Sequence, residues 1–152
     1  MILADEAATR AVGARLATVL RRGDVVLLDG PLGAGKTSLV RGLLAALGHR
    51  GEVPSPSFAL VQPYEELSPP LWHVDLYRIE DRAELDELGL DTILHEGALL
   101  VEWSLKAGEG AWGASALRLS LEPRPDGARR LTAVRGEGWG DRWPLEPDDI
   151  SR

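Results

Sequence analysis

The amino-acid sequence predicts an α/β fold in one domain: a mostly parallel central sheet flanked by helices, with a β-hairpin towards the C-terminus. Three observations predict it. From Asp24 to Gly48 the chain reads as an apolar run of strand length, a glycine-rich loop, and a helix with apolar residues at Leu39, Val40, Leu43, Leu44 and Leu47. Two later apolar runs, "LWHVD" and "ALLVEW", each meet an acid at their end, as strands do when they deliver a polar group to a sheet edge. Finally, "SALRLSLEP" and "ARRLTAVRG" alternate apolar and polar residues and are joined by the turn "RPDG".

The elements follow in order. "DEAATRAVGARLATVLRRGD" places Ala8, Val12, Leu16, Val19 and Leu20 on one side of an amphipathic helix, with acids in its first turn. The strand "DVVLLDG" comes next, and then a helix that Gly48 ends. "SFALVQPYEE" and "PPLWHVDLYR" are two strands separated by a Pro-rich turn. "DRAELDELGLDTIL" is a short acidic helix closing at Gly89, and "GALLVEW" is a buried strand. Residues 1–135 form the domain. Residues 136–152, rich in Gly, Pro and Asp, are expected to be a loosely held tail. No internal repeat is visible.

Composition bounds the function. The chain has 152 residues, enough for a core but too few for this fold plus a second catalytic domain. It has no cysteine, so disulfides and thiolate metal sites are excluded. "MILADEAATR" lacks the basic start and apolar run of a signal peptide, and no segment approaches the apolar length of a membrane span. A cytoplasmic protein without membrane association is expected. A net charge of −7 argues against strong independent binding to a nucleic-acid backbone.

The chemistry concentrates in "GPLGAGKTSLV". Its spacing G-x-x-x-x-G-K-[ST] is that of a P-loop, with Gly30, Gly35, Lys36 and Thr37 at the defined places. Glycines let the backbone turn its N–H groups around a phosphate, and the helix that begins there adds the positive end of its dipole. The cradle comprises Gly30, Pro31, Leu32, Gly33, Ala34, Gly35, Lys36, Thr37 and Ser38. Lys36 is expected to reach the terminal phosphates and Thr37 to offer its hydroxyl to Mg2+. Of 17 basic residues only Lys36 and Lys106 are lysine, so a chain that otherwise uses Arg keeps a compact point charge at the phosphate position.

Three further stretches suit a magnesium nucleotide. Asp75 ends "LWHVD" where a metal-binding acid is needed; the alternative is a cap on the following turn. His73, on the same face, reads as a packed neighbour rather than a ligand. Glu102 ends an apolar strand, a costly place for a charge without a partner, and suits a magnesium-bound or attacking water; an exposed strand-end acid is the alternative. Trp103 either lies against the nucleotide or packs. In "VPSPSFALV", Ser55 and Ser57 place hydroxyls on a Pro-stiffened segment between the P-loop helix and the next strand, which reads as a turn or as a γ-phosphate sensor.

Taken in order, "GPLGAGKTSLVRGL", "SPSFALVQPY", "HVDLYRIED", "ELDELGLDTIL" and "LVEW" resemble the TsaE (YjeE) family of small bacterial ATPases needed to make threonylcarbamoyladenosine (t6A) in tRNA. The resemblance runs from about Asp5 to Leu121. It implies that the P-loop binds ATP, that Thr37 and Asp75 serve magnesium, that Ser55 and Ser57 belong to a first switch, and that Glu102 and Trp103 belong to a second. It also implies the partners TsaD and TsaB, with tRNA reached only through the complex. Ser57 stands where the family usually has Thr, and Pro31 where it commonly has Asp.

Other classes fit less well. A regulatory GTPase needs an Asn-Lys-x-Asp reader, and the sequence contains no Asn; "DELG" at 86–89 lies in a helical pattern. A small-molecule P-loop kinase is the alternative, yet little chain remains for a lid and an acceptor pocket. The acidic run from Glu80 to Glu96, with seven acids and one Arg, reads as a docking surface or as an ordinary solvated helix. No arginine is placed by motif at the phosphate; Arg78 is the nearest in sequence to Asp75.

Overall fold

A computed structural model of the chain describes residues 1–53, 60–108, 110–140, 142 and 143. Seven strands form one sheet: β1 (Ile2–Leu3), β2 (Val25–Asp29), β3 (Val61–Tyr64), β4 (Leu71–Asp75), β5 (Ala98–Glu102), β6 (Leu117–Pro123) and β7 (Arg129–Val134). Their order across the sheet is β1-β7-β6-β2-β5-β4-β3. The central strands β6, β2, β5 and β4 are parallel, and β7 and β3 pair antiparallel at the two sides. The β6–β7 pair is the hairpin expected from its alternating pattern, closed through residues 124–127.

Helices α1 (Glu6–Ala17), α2 (Lys36–Ala46), α3 (Arg82–Glu87) and α4 (Leu90–Leu94) cover the sheet. Strand β2 is apolar from Val25 to Leu28 because both its faces are covered. Val26 and Leu28 join a core with Val12 and Leu16 of α1 and Leu39 and Leu43 of α2, whereas Val25 and Leu27 join a second core with Val74, Leu90, Leu99 and Val101. Asp5 caps α1 by accepting from Ala8 N at 2.9 Å. The two large helices pack backbone to backbone: a Cβ on Gly13 would stand 2.1 Å from the Leu39 carbonyl, and one on Gly42 would stand 2.1 Å from that of Arg10. That contact sets the helix that carries the P-loop lysine.

Three features depart from the sequence reading. The first strand is Ile2–Leu3, which pairs with β7; two residues are too few for a periodicity to reveal. The acidic stretch forms two helices, because Gly89 adopts φ 65° and starts α4 where α3 has ended. Within the segment expected to be a loose tail, Trp139 and Trp143 are 1% and 7% exposed within the first core, and the Arg142 guanidinium lies 4.0 Å from the Trp139 ring and 3.0 Å from the Asp24 carboxylate, while residues 141 and 144–152 lie outside the described residues. Burial of two large aromatic side chains outweighs the local preference of a Gly-rich segment for disorder. No helix among the described residues is long and apolar enough to cross a membrane.

Candidate active site

The loop from Gly30 to Gly35 leaves the carboxyl end of β2, where the parallel strands present their ends to one side of the sheet. Gly35 sits at the N-terminus of α2 with φ 104°, a conformation that favours glycine. A cavity of about 500 Å³ opens there, lined by Leu32, Gly33, Gly35, Lys36, Thr37, Ser38, Asp75, Glu102 and Trp103, together with His73, Arg41 and Arg129. Gly30 and Pro31 line a neighbouring cavity that shares Lys36 and Trp103. Ala34 turns its methyl into the core, leaving its backbone to the loop. Ser55 and Ser57 lie outside the described residues.

Parallel pairing of β4 and β5 sets Asp75 directly opposite Glu102, so two carboxylates stand side by side at the sheet edge. Asp75 accepts a hydrogen bond from Tyr77 N at 2.9 Å, so it caps the turn as well as lining the cavity. Glu102 is the hub. His73 Nε2 lies 2.6 Å from its Oε2, and with the carboxyl ionised the ring N–H donates. Lys36 Nζ lies 3.5 Å from Oε1. Burial by itself would raise the Glu102 carboxyl, but the His73 hydrogen bond and the positive charge of His73 and Lys36 more than offset it, and the group is held below its ordinary value of 4.5.

Trp103 completes this cluster in the left-handed region, at φ 57°, which is uncommon for a bulky residue and marks a conformation imposed by its surroundings. Its ring lies 4.8 Å from Lys36 Nζ and 4.9 Å from the Tyr77 ring. Below the loop, Arg118 Nη1 donates to Asp29 Oδ2 at 2.7 Å and Ser104 Oγ donates to Asp29 Oδ1 at 3.1 Å, tying β2 to β6 and to the segment after β5.

The site therefore brings together Lys36, Thr37, Asp75, Glu102 and Trp103. It also holds residues to which the sequence reading gave no part in the chemistry. His73 is a hydrogen-bond partner of Glu102 as well as a packed neighbour; its position two residues before Asp75 on the same face was the available signal. The arginines that line the cavity among the described residues are Arg41 and Arg129, neither marked by a motif. The donor set fits magnesium that arrives with a nucleotide: the Thr37 hydroxyl and two adjacent carboxylates line a cavity large enough for phosphates to supply further oxygens. No cluster of three ligating side chains able to hold a metal alone occurs among the described residues.

Comparisons with known proteins agree with this architecture. Residues 3–131 match the family model described as threonylcarbamoyl adenosine biosynthesis protein TsaE. The tRNA threonylcarbamoyladenosine biosynthesis protein TsaE of Streptomyces coelicolor is 43% identical over 141 residues, covering 88% of this chain and 93% of that protein. The protein of the same name from Bacillus subtilis is 34% identical over 145 residues, covering 95% and 88%. The crystal structure of Bacillus subtilis YdiB superposes with a TM-score of 0.77 at 27% identity, covering all of this chain and 93% of that one.

Proposed function

Because the chain belongs to the TsaE family, we propose that it is the ATP-binding and ATP-hydrolysing component of the t6A machinery, acting with TsaD and TsaB. The observation that carries this reading is the meeting of Lys36, Thr37, Asp75 and Glu102 on one cavity at the carboxyl ends of β2, β4 and β5. A phosphate cradle with an adjacent pair of carboxylates is what hydrolysis of a magnesium nucleotide requires.

In this reading the loop backbone and the N-terminus of α2 bind the phosphates, and Lys36 exchanges Glu102 for the terminal phosphate. Thr37 and Asp75 would hold magnesium, whose charge would offset that of the phosphates. Glu102, kept ionised and oriented by His73, is left to position the attacking water, and would stand beside magnesium when that ion is bound. Trp103 rests on Lys36 and moves with it when the phosphates enter. Ser55 and Ser57 belong to the first switch. TsaD and TsaB carry the transfer chemistry and hold the tRNA, which suits a chain of net charge −7. Titration calorimetry with ATP and GTP, with and without magnesium, tests the reading. Saturable, magnesium-strengthened ATP binding supports it, and the absence of ATP binding overturns it.

A further inference from the structure

Beyond the motif residues, Arg129 occupies a place in the cavity that the site described so far leaves unexplained. It is the first residue of β7. Because β6 runs parallel to β2, the hairpin turn that leads into Arg129 stands at the same sheet edge as the P-loop. The strand order puts the two sides of that loop to different uses. Asp75 and Glu102 end β4 and β5 on one side, while β6 and β7 lie on the other.

The guanidinium packs against the last glycine of the loop: a Cβ on Gly35 would stand 2.8 Å from Arg129 Nη1 and 3.2 Å from Cζ. Nη1 donates to Thr9 Oγ1 at 2.9 Å, and that fully buried hydroxyl donates in turn to the Asp5 carbonyl at 3.0 Å. Among the described residues no carboxylate lies within ion-pair distance of Arg129, whereas Lys36 in the same cavity is held by Glu102. A charged group anchored on a neutral hydroxyl keeps its remaining donors for an anion.

Lys36, Thr37, Asp75 and Glu102 lie on the β4–β5 side of the loop and Arg129 on the β7 side, so a phosphate chain with its terminal end at the first group would run its nucleoside end over Gly35 towards Arg129. We propose that Arg129 binds the nucleoside-proximal phosphate of the bound nucleotide, an inference that rests on the ATP-binding reading above. Arg129 is then a nucleotide anchor shared by ATP and ADP, and it does not stabilise the charge that develops on the transferring phosphate.

The test is calorimetric affinity for ADP and for ATP in the wild-type chain and in Arg129→Gln, Arg129→Lys and Thr9→Val, with thermal melts of each. A charged hydrogen bond to phosphate predicts that Arg129→Gln loses about 10- to 100-fold in affinity, by the same factor for ADP and ATP, with Arg129→Lys recovering part of it. Thr9→Val keeps the charge and is expected to lose less. Unchanged ADP affinity in Arg129→Gln overturns the inference, as does an ATP loss ten times the ADP loss, which would put Arg129 at the terminal phosphate. Equal affinity losses in Arg129→Gln and Thr9→Val with matching drops in melting temperature would make the residue a strut for α1 and overturn it too. Failure of the wild-type chain to bind either nucleotide would overturn the functional reading itself.

Discussion

Replacing Glu102 by Gln removes one charge and almost no volume, which isolates what the hub of the site contributes. The carboxylate lies 3.5 Å from Lys36 Nζ and 2.6 Å from His73 Nε2, and its side chain is 13% exposed. At an effective dielectric constant of about 20, the attraction to Lys36 alone is about 5 kcal/mol gross. Desolvation of both ions offsets most of that, and Gln keeps a hydrogen bond to His73, so the expected net loss of stability is about 1–3 kcal/mol. For a chain of this size that is a fall in melting temperature of about 2–12 °C. The pH dependence has a definite sign. Because the folded carboxyl titrates below its ordinary value of 4.5, its contribution is fully present above that pH and is lost as pH falls through the folded value. Urea denaturation of both proteins from pH 7 downwards should therefore show a constant difference to about pH 5, closing below it as the wild-type carboxyl protonates. A difference that is absent at pH 7, or that persists undiminished through the acid range, would refute this account of Glu102.

Three other changes probe separate parts of the molecule. Lys36→Ala should weaken ATP binding by about 10- to 100-fold without unfolding the chain, since Glu102 keeps His73 and no apolar core residue is lost; unchanged affinity by calorimetry would sink the phosphate-cradle assignment. Asp75→Asn should retain ATP binding through the loop backbone yet lose magnesium-dependent phosphate release by about 100-fold or more; wild-type release rates would remove Asp75 from the metal site. Trp139→Ala should cost about 3–5 kcal/mol in urea denaturation, because a side chain 1% exposed leaves a cavity and Arg142 loses the ring beneath it; a cost below about 1 kcal/mol would restore the loose-tail reading.

What the sequence made legible was contiguous or repeated a pattern. The P-loop residues adjoin one another between a strand and a helix, so motif and context appear in a single window. Asp75 and Glu102 stand out because an apolar run that meets an acid raises its own question of cost, and the strand pairing answers it by setting them opposite each other. The positions of Arg129 and Arg41 were not legible, because no local rule states which side chain a distant strand or the next helical turn turns towards the loop. The triad of Asp29, Ser104 and Arg118 draws on three separate segments for the same reason. The packing of Trp139 and Trp143 was not legible in composition, because the burial of single large rings decides the fold there.

If the proposed function holds, this chain is expected to turn over ATP slowly by itself and faster with TsaD and TsaB. Among the described residues the arginines that line the cavity are Arg41 and Arg129, and Arg129 lies towards β7 rather than on the Asp75 and Glu102 side where a transferring phosphate would need it. A partner that prefers the competent state of the chain would shift its population towards that state. The direct measurement is steady-state phosphate release with magnesium and ATP from the chain alone, from TsaD and TsaB alone, and from the mixture, with the Lys36→Ala protein as blank. The account predicts turnover well under about one per second for the isolated chain, against about 1 to 100 per second for kinases, a clear acceleration in the mixture, and loss of both with Lys36→Ala. Fast turnover by the isolated chain that the partners leave unchanged, or equal release from the Lys36→Ala mixture, would contradict it.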